Sequence, residues 1–459
     1  MQLNTEVRDK TKDKSRFQKI SPALAIASIG ILGANETLAK DELDRWDFDT
    51  AVLLYAEADD RVSAVEPVFS ATRAFDNGET LNIKLAYDTL TGASPNGATP
   101  SKQKQIFTRP SGKGKSTIAS GESPLDDTFK DSRVALALNW TAPINREWEY
   151  STGLYGSKEF DYLSLGGNAS IKHYFNQKNS AINFGISFSS DQVEPKGGTP
   201  IALAEMAHKS DDDFKDTHKK TREDDSNSKT IQEGMIGLTQ VINRQTIMQF
   251  NAGFSYTSGY LTDPFKLLSV IGSDKSDSDY GANFQDTNSN NIYLYEARPD
   301  SKLRHSFYWQ TKYSVSNGDM IDSSYRFMID DWGINSHTLD FRYRWYFTLN
   351  KERDSYLEPH LRYYSQSAAD FYQRYIDSDD YQLGDPNFSF ASADERLSDM
   401  NAVTLGLKYG WRYQEGKEVN IKLEYYSQSH SGKKGIGSLS NQELYPGTKA
   451  VMLAIGYSF

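Results

Sequence analysis

The chain has 459 residues, a formal net charge of −11 and no cysteine, and 13% of it is aromatic, with 28 Tyr and 23 Phe. The acidic balance argues against nucleic acid as the main partner. With a mean hydropathy of −0.65, the sequence offers no apolar run of about 20 residues beyond its N-terminal region, so no membrane-spanning helix is expected there. A transmembrane barrel escapes that exclusion, because only every second residue of its strands meets lipid.

Residues 1–39 read as a secretory signal peptide. Arg8, Lys10, Lys12, Lys14, Arg16 and Lys19 form a basic region, residues 20–32 an apolar core, and Thr37-Leu38-Ala39 a small-residue cleavage site. Removing six basic and four acidic residues leaves 45 against 58, a net charge of −13.

Residues 40–459 read as one outer-membrane β-barrel. Alternating segments fall near 47–57, 61–75, 79–91, 130–142, 147–157, 160–175, 180–190, 230–242, 245–257, 303–316, 320–329, 336–348, 355–367, 401–413, 417–429 and 448–459. That predicts about sixteen strands. In the twelfth, Leu339, Phe341, Tyr343, Trp345 and Phe347 alternate with Asp340, Arg342, Arg344 and Tyr346, which puts an apolar and a charged row on opposite faces. Two segments are less regular: 61–75 contains Pro67, and the phase of 230–242 slips.

Every second connection is a tight turn, as at Asp76-Asn77-Gly78, Asn243-Arg244, Asn317-Gly318 and Gln414-Glu415-Gly416. The others include long polar loops at 92–129, 191–229, 258–302, 368–400 and 430–447. Turns at one end and long loops at the other are the pattern of a bacterial up-and-down barrel with both termini periplasmic. Closing the barrel leaves no strand edge against lipid. Tyr457 and the terminal Phe459 are candidates for the signal read by the barrel-assembly machinery. The other expected partners are membrane lipid and lipopolysaccharide, the latter met by Lys219, Lys220 and Arg222 in the charged loop 211–225.

Three stretches carry a resemblance: Gly259–Lys266 (GYLTDPFK), Tyr325–Leu339 (YRFMIDDWGINSHTL) and Tyr363–Tyr372 (YYSQSAADFY). They resemble a family of Gram-negative outer-membrane barrels classed as a domain of unknown function. The resemblance spans the chain after the signal segment and implies fold and location, not a reaction. Read physically, Asp263-Pro264 starts a turn and Asp330-Asp331-Trp332-Gly333 forms a short tip. Asp263, Asp330, Asp331 and Trp332 are therefore expected to latch the 258–302 loop at the barrel mouth.

The lumen holds the most informative constellation. Inward positions on the tenth to fifteenth strands include Lys312, Arg326, Arg342, Arg344, Arg362, Lys408, Arg412 and Lys422, against fewer acids, Asp322, Asp340, Glu358 and Glu424. His360 belongs beside Arg362 and Glu358. Early strands lean acidic, with Asp49, Glu57, Asp88, Glu147 and Glu149, interrupted by Lys84. A basic wall facing an acidic wall sets a field across a water-filled pore. Equally, Arg342, Arg344 and Arg362 could pair with Asp340 and Glu358 and fill the barrel with an ionic network.

The leading expectation is a passive, porin-like channel for small polar or anionic solutes. The alternative is a filled barrel serving as scaffold or receptor for a periplasmic or extracellular protein, possibly a redox partner; a barrel hydrolase is the third reading. No catalytic residue is assigned, since His337 near Asp330 and Asp331 is more simply turn chemistry. His173 is expected at the membrane interface. No cofactor or metal is expected: Asp286, Asn288 and Asn290 begin like a calcium loop, but Asn291 replaces its glycine and Ala297 its glutamate.

Overall fold

The computed structural model describes residues 46–59, 61–109, 112–209, 212–272, 292–350, 353–378, 389–414 and 417–459. The expected signal segment and the calcium-like residues Asp286–Asn291 lie outside them. In chain order the strands are β1 (Trp46–Glu57), β2 (Ser63–Ala74), β3 (Thr80–Pro95), β4 (Gln105–Thr108), β5 (Lys115–Ile118), β6 (Leu125–Pro143) and β7 (Trp148–Lys158). Next come β8 (Tyr162–Phe175), β9 (Ser180–Val193), β10 (Asn227–Asn243), β11 (Thr246–Gly259), β12 (Leu267–Ile271), β13 (Ile292–Tyr295) and β14 (Ser301–Ser314). The last are β15 (Met320–Asp330), β16 (Asn335–Asn350), β17 (Arg353–Gln366), β18 (Ile376–Asp377), β19 (Asp399–Gln414), β20 (Lys417–Ser431) and β21 (Thr448–Ser458). Among the described residues one short α-helix, α1, spans Phe214–Lys220.

Sixteen strands close an antiparallel barrel, with all but β4, β5, β12, β13 and β18 in its wall. The ring is sealed where β1 pairs with β21, from Asp49↔Ser458 to Glu57↔Ala450. Both ends of the described chain therefore lie at the end with the tight turns, and the long loops lie at the other.

Period two decides which side chains face out. Leu154 and Ile186 are each 67% exposed, in company with Phe184, Phe188, Phe250, Phe254, Leu405 and Leu423. Large apolar side chains ring the outside while charged ones line the inside, an inversion of a water-soluble barrel that a lipid solvent explains. Aromatic rings gather near the turn end. Trp148 stacks on His173 at 4.3 Å, placing that histidine in the aromatic belt, and Phe48 meets Phe459 at 5.4 Å. Tyr363 and Tyr425 face outward nearer the loop end.

Both irregular segments are strands. Pro67 sits in β2 opposite Val52, and the ladder to β3 skips from Val65↔Thr89 to Val68↔Ala86 around it, as a residue without an N–H requires. In β10 the phase holds until a bulge at Val241/Asn243. The sequence reads as slipped there because Ile231 is an inward, fully buried isoleucine.

The long loops fold together into a cap. Strand β12 pairs antiparallel with β13 and parallel with β18. Its run Leu-Leu-Ser-Val-Ile has two covered faces, which is why it shows no polar alternation. On one face Leu267, Tyr293 and Tyr295 pack with Ala98, Phe107 and Met206. On the other Leu268, Val270 and Leu294 pack with Ile376, Ala391 and Ala393. Ile271 and Tyr375 meet Leu439 and Leu444. Five loops rooted around the barrel are thus joined through the apolar clusters on and beside this small sheet, so the cap crosses the mouth.

Candidate functional site

On the later strands the structure places the expected cations on the face opposite the exposed apolar row, and most of them are paired. Arg344 Nε donates to Glu358 at 2.6 Å; Arg342 lies 3.1 Å from Asp340. Lys312 is 3.8 Å from Asp322 and Arg412 3.2 Å from Glu418. Lys408 faces Glu358 across the β17–β19 pair, with its ammonium 5.6 Å from the Tyr356 ring centroid. His360 bridges two strands: Nε2 is 3.0 Å from Asp340 and Nδ1 is 2.7 Å from Glu424. The second contact passes over Gly406 of β19, where a Cβ would stand 2.8 Å from Glu424 Cγ and 3.2 Å from His360 Cβ. Glycine there lets the two side chains meet.

Two of the expected cations differ. Arg326 and Arg362 occupy inward positions, facing Thr338 and Asp340 of β16, yet both are exposed. Among the described residues neither has a carboxylate at ion-pair distance. Asp340, which faces Arg362, is already engaged by Arg342 and His360. Around Arg326 the interacting charges are Arg304 and Arg362, and its guanidinium lies 5.5 Å from the Tyr308 ring centroid.

The acidic wall on the early strands is not bare. Arg133 of β6 donates to Asp88 at 2.6 Å, and Lys172 of β8 donates to Glu149 at 3.0 Å. The sequence hides these pairs because each cation lies one strand from its partner. The field across the lumen is accordingly weaker than two opposed walls would give, and the cations of the expected row without an ion-pair partner among the described residues are Arg326, Arg362 and Lys408.

The residues expected to latch the outer loop divide between two places. Asp330 Oδ1 accepts the N–H groups of Trp332 and Ile334 at 3.1 and 3.0 Å, and its other oxygen is 2.8 Å from Lys302 Nζ. Trp332 Nε1 donates to Ser301 O at 2.9 Å, and Asp331 exchanges hydrogen bonds with Leu303 through its own N–H (3.0 Å) and Oδ1 (2.9 Å). The tip before β16 is thus clipped to the foot of β14. Gly333 has φ +84°, and a Cβ there would stand 2.2 Å from the Asp370 carboxylate.

Asp263 instead starts the expected Asx turn, accepting Phe265 N–H at 3.0 Å, and joins a buried charge cluster within the cap. Arg298 lies 2.7 Å from both Glu296 and Asp394, and Arg396 reaches Asp394 and, at 3.2 Å, Asp263. Complete burial pushes the Glu296 carboxyl above its ordinary range, against the pull of Arg298. Burial opposes charge at Asp394 too, but Arg396, Lys266 and Arg298 together hold it well below the carboxylate range. Arg374, only 6% exposed, donates to Leu444 O at 2.7 Å, Gly97 O at 2.5 Å and Ala98 O at 3.3 Å. One guanidinium therefore ties three loops.

A family model for proteins of unknown function, DUF3570, matches residues 21–459. The chain belongs to the DUF3570 family. No curated protein matches it. Among solved structures, a bacterial polysaccharide outer membrane secretin aligns over 91% of this chain and 99% of its own, at 9% identity and a TM-score of 0.42. OprB from Pseudomonas putida aligns over 93% and 97%, at 10% identity and a TM-score of 0.38. OpdK from Pseudomonas aeruginosa aligns over 90% and 98%, at 7% identity and a TM-score of 0.37.

Other candidate residues of this DUF3570 chain are placed as follows. His337 points outward, its Nδ1 2.7 Å from Tyr325 Oη and its ring 5.1 Å from that of Phe327; Asp330 points inward, so the two do not form an acid–base pair. Arg222 is half-buried, and its Nη2 donates to Tyr295 Oη at 2.8 Å, anchoring the segment after α1 to the cap. Tyr457 stacks on Phe459 at 4.8 Å and accepts from Tyr413 Oη at 2.8 Å. A carboxylate trio that no sequence spacing announced, Asp131, Glu159 and Asp161, brings oxygens within 4.8 Å of one another, each also engaged with protein neighbours.

Proposed function

We propose that this protein is a passive outer-membrane channel for small polar or anionic solutes, with its outer mouth governed by the folded cap. The observation that carries the reading is the exposure of Arg326 and Arg362 on the inner wall: unpaired guanidinium charge facing a hollow, hydrated lumen attracts anions. In this reading the turn end and both chain ends face the periplasm, and the cap faces outward. Asp330, Asp331 and Trp332 hold the 260–300 connection in register with the rim, and the Asp263 cluster stiffens its first half. The expected outcome in a planar bilayer is a unitary conductance that prefers anions. A folded, inserted protein without unitary conductance would falsify the channel.

The crossing of the mouth by five joined loops favours a second reading, a barrel that presents its cap to a protein partner, possibly a redox protein. Absence of conductance combined with saturable binding of one partner to the cap would support it over the channel.

A further inference from the structure

We propose that Arg326 and Arg362 form a lumen binding station for small dicarboxylates, with the Tyr308 ring beneath the first guanidinium. The inference rests on the hollow-lumen reading above and adds a solute class to it. Arg326 aligns with Thr338 and, through it, with Tyr364 of β17; Arg362 is two residues from Tyr364 on the same inward row. Strand spacing and rise put the two Cα atoms on the order of 12 Å apart. At that separation the two cations feel each other's charge.

The local balance is cationic. Arg326, Arg342, Arg362 and Lys422 supply four fixed positive charges, while Asp340 and Glu424 supply two negative ones. Asp340 is occupied by Arg342 and His360, and Glu424 by His360 and Lys422. The surplus is two, and it resides on Arg326 and Arg362. Each is a planar fork suited to one carboxylate in bidentate contact. Two forks at this separation favour a solute carrying a carboxylate at each end over a single small ion. Tyr308, on the side of Arg326 away from Arg362, lies 5.5 Å from that guanidinium and steadies it.

The test is isothermal titration of the detergent-folded full chain with succinate, using acetate, inorganic phosphate and dimethyl succinate as comparison probes. Succinate should bind, acetate at least tenfold more weakly, and the uncharged diester not at all. Arg326→Gln and Arg362→Gln should each weaken succinate at least tenfold. Arg362→Lys, which keeps the charge but loses the fork and guards against a folding defect, should fall between. Succinate affinity unchanged in the Arg326→Gln, Arg362→Gln double variant would overturn the station, as would phosphate binding in place of succinate. Arginine-dependent succinate binding without unitary conductance would uphold the station and remove the channel. Conductance without succinate binding would do the reverse.

Discussion

Arginine does opposite things in the cap and in the lumen. Arg298 and Arg374 are almost wholly buried, and their guanidiniums are consumed by carboxylates and by carbonyl groups of two neighbouring loops. Arg326 and Arg362 stand on a rigid strand wall and face water. The difference is one of desolvation: a buried charge must be fully partnered or it destabilises the fold, whereas a hydrated one can remain unpartnered and available. Cap arginines hold structure together, and the proposed solute contacts fall to the lumen arginines.

That contrast breaks most severely at Asp394. Asp394→Asn should destabilise the cap by about 3–5 kcal/mol, because Arg298 is left buried with less countercharge; the half-exposed Arg396 keeps the cost from rising higher. Since the folded Asp394 carboxyl lies below its unfolded value of 3.8, its stabilisation is complete above that pH and is lost as pH falls through the lower folded value. Glu296 has the opposite sign: its raised carboxyl contributes below 4.5 and loses that contribution as pH rises through the folded value. Protease resistance of the outer loops, followed from pH 7 to pH 2, should therefore show an acid-induced loss that Asp394→Asn abolishes. Glu296→Gln should cost much less at neutral pH than Asp394→Asn.

A smaller effect is expected at Arg374. Arg374→Ala strands three carbonyl groups at about 1 kcal/mol each, a loss of about 3 kcal/mol, read as earlier protease cleavage within 96–124 and 432–447 while the barrel survives. The smallest belongs to the lumen. The Arg326→Gln, Arg362→Gln double variant should leave cap protease resistance within about 0.5 kcal/mol of wild type, and a larger loss would erase the distinction between the two regions.

The wall was legible and the cap was not, for reasons of periodicity. Rows such as Leu339, Phe341, Tyr343 and Trp345 carry the two-residue repeat that assigns every inward residue at once, including Arg326 and Arg362. The cap core takes a few apolar residues from each loop: Phe107 from one, Met206 from a second, Leu268 and Leu294 from a third, Ile376 from a fourth and Leu444 from a fifth. No loop has a period of its own, so polar composition dominated the reading. Pairing was likewise hidden across strands. Asp88 and Arg133 are 45 residues apart, and only the barrel register brings them face to face.

The seam between β1 and β21 gives the Arg374 contacts a mechanical meaning. Leu444 belongs to the loop on one side of that seam, and Gly97 and Ala98 to the loop on the other. A barrel unzips most easily where its first and last staves meet, because no covalent turn joins them. Arg374 works there as a clasp. Its contacts must break before the staves separate, so its contribution is felt as slower opening rather than as faster closing.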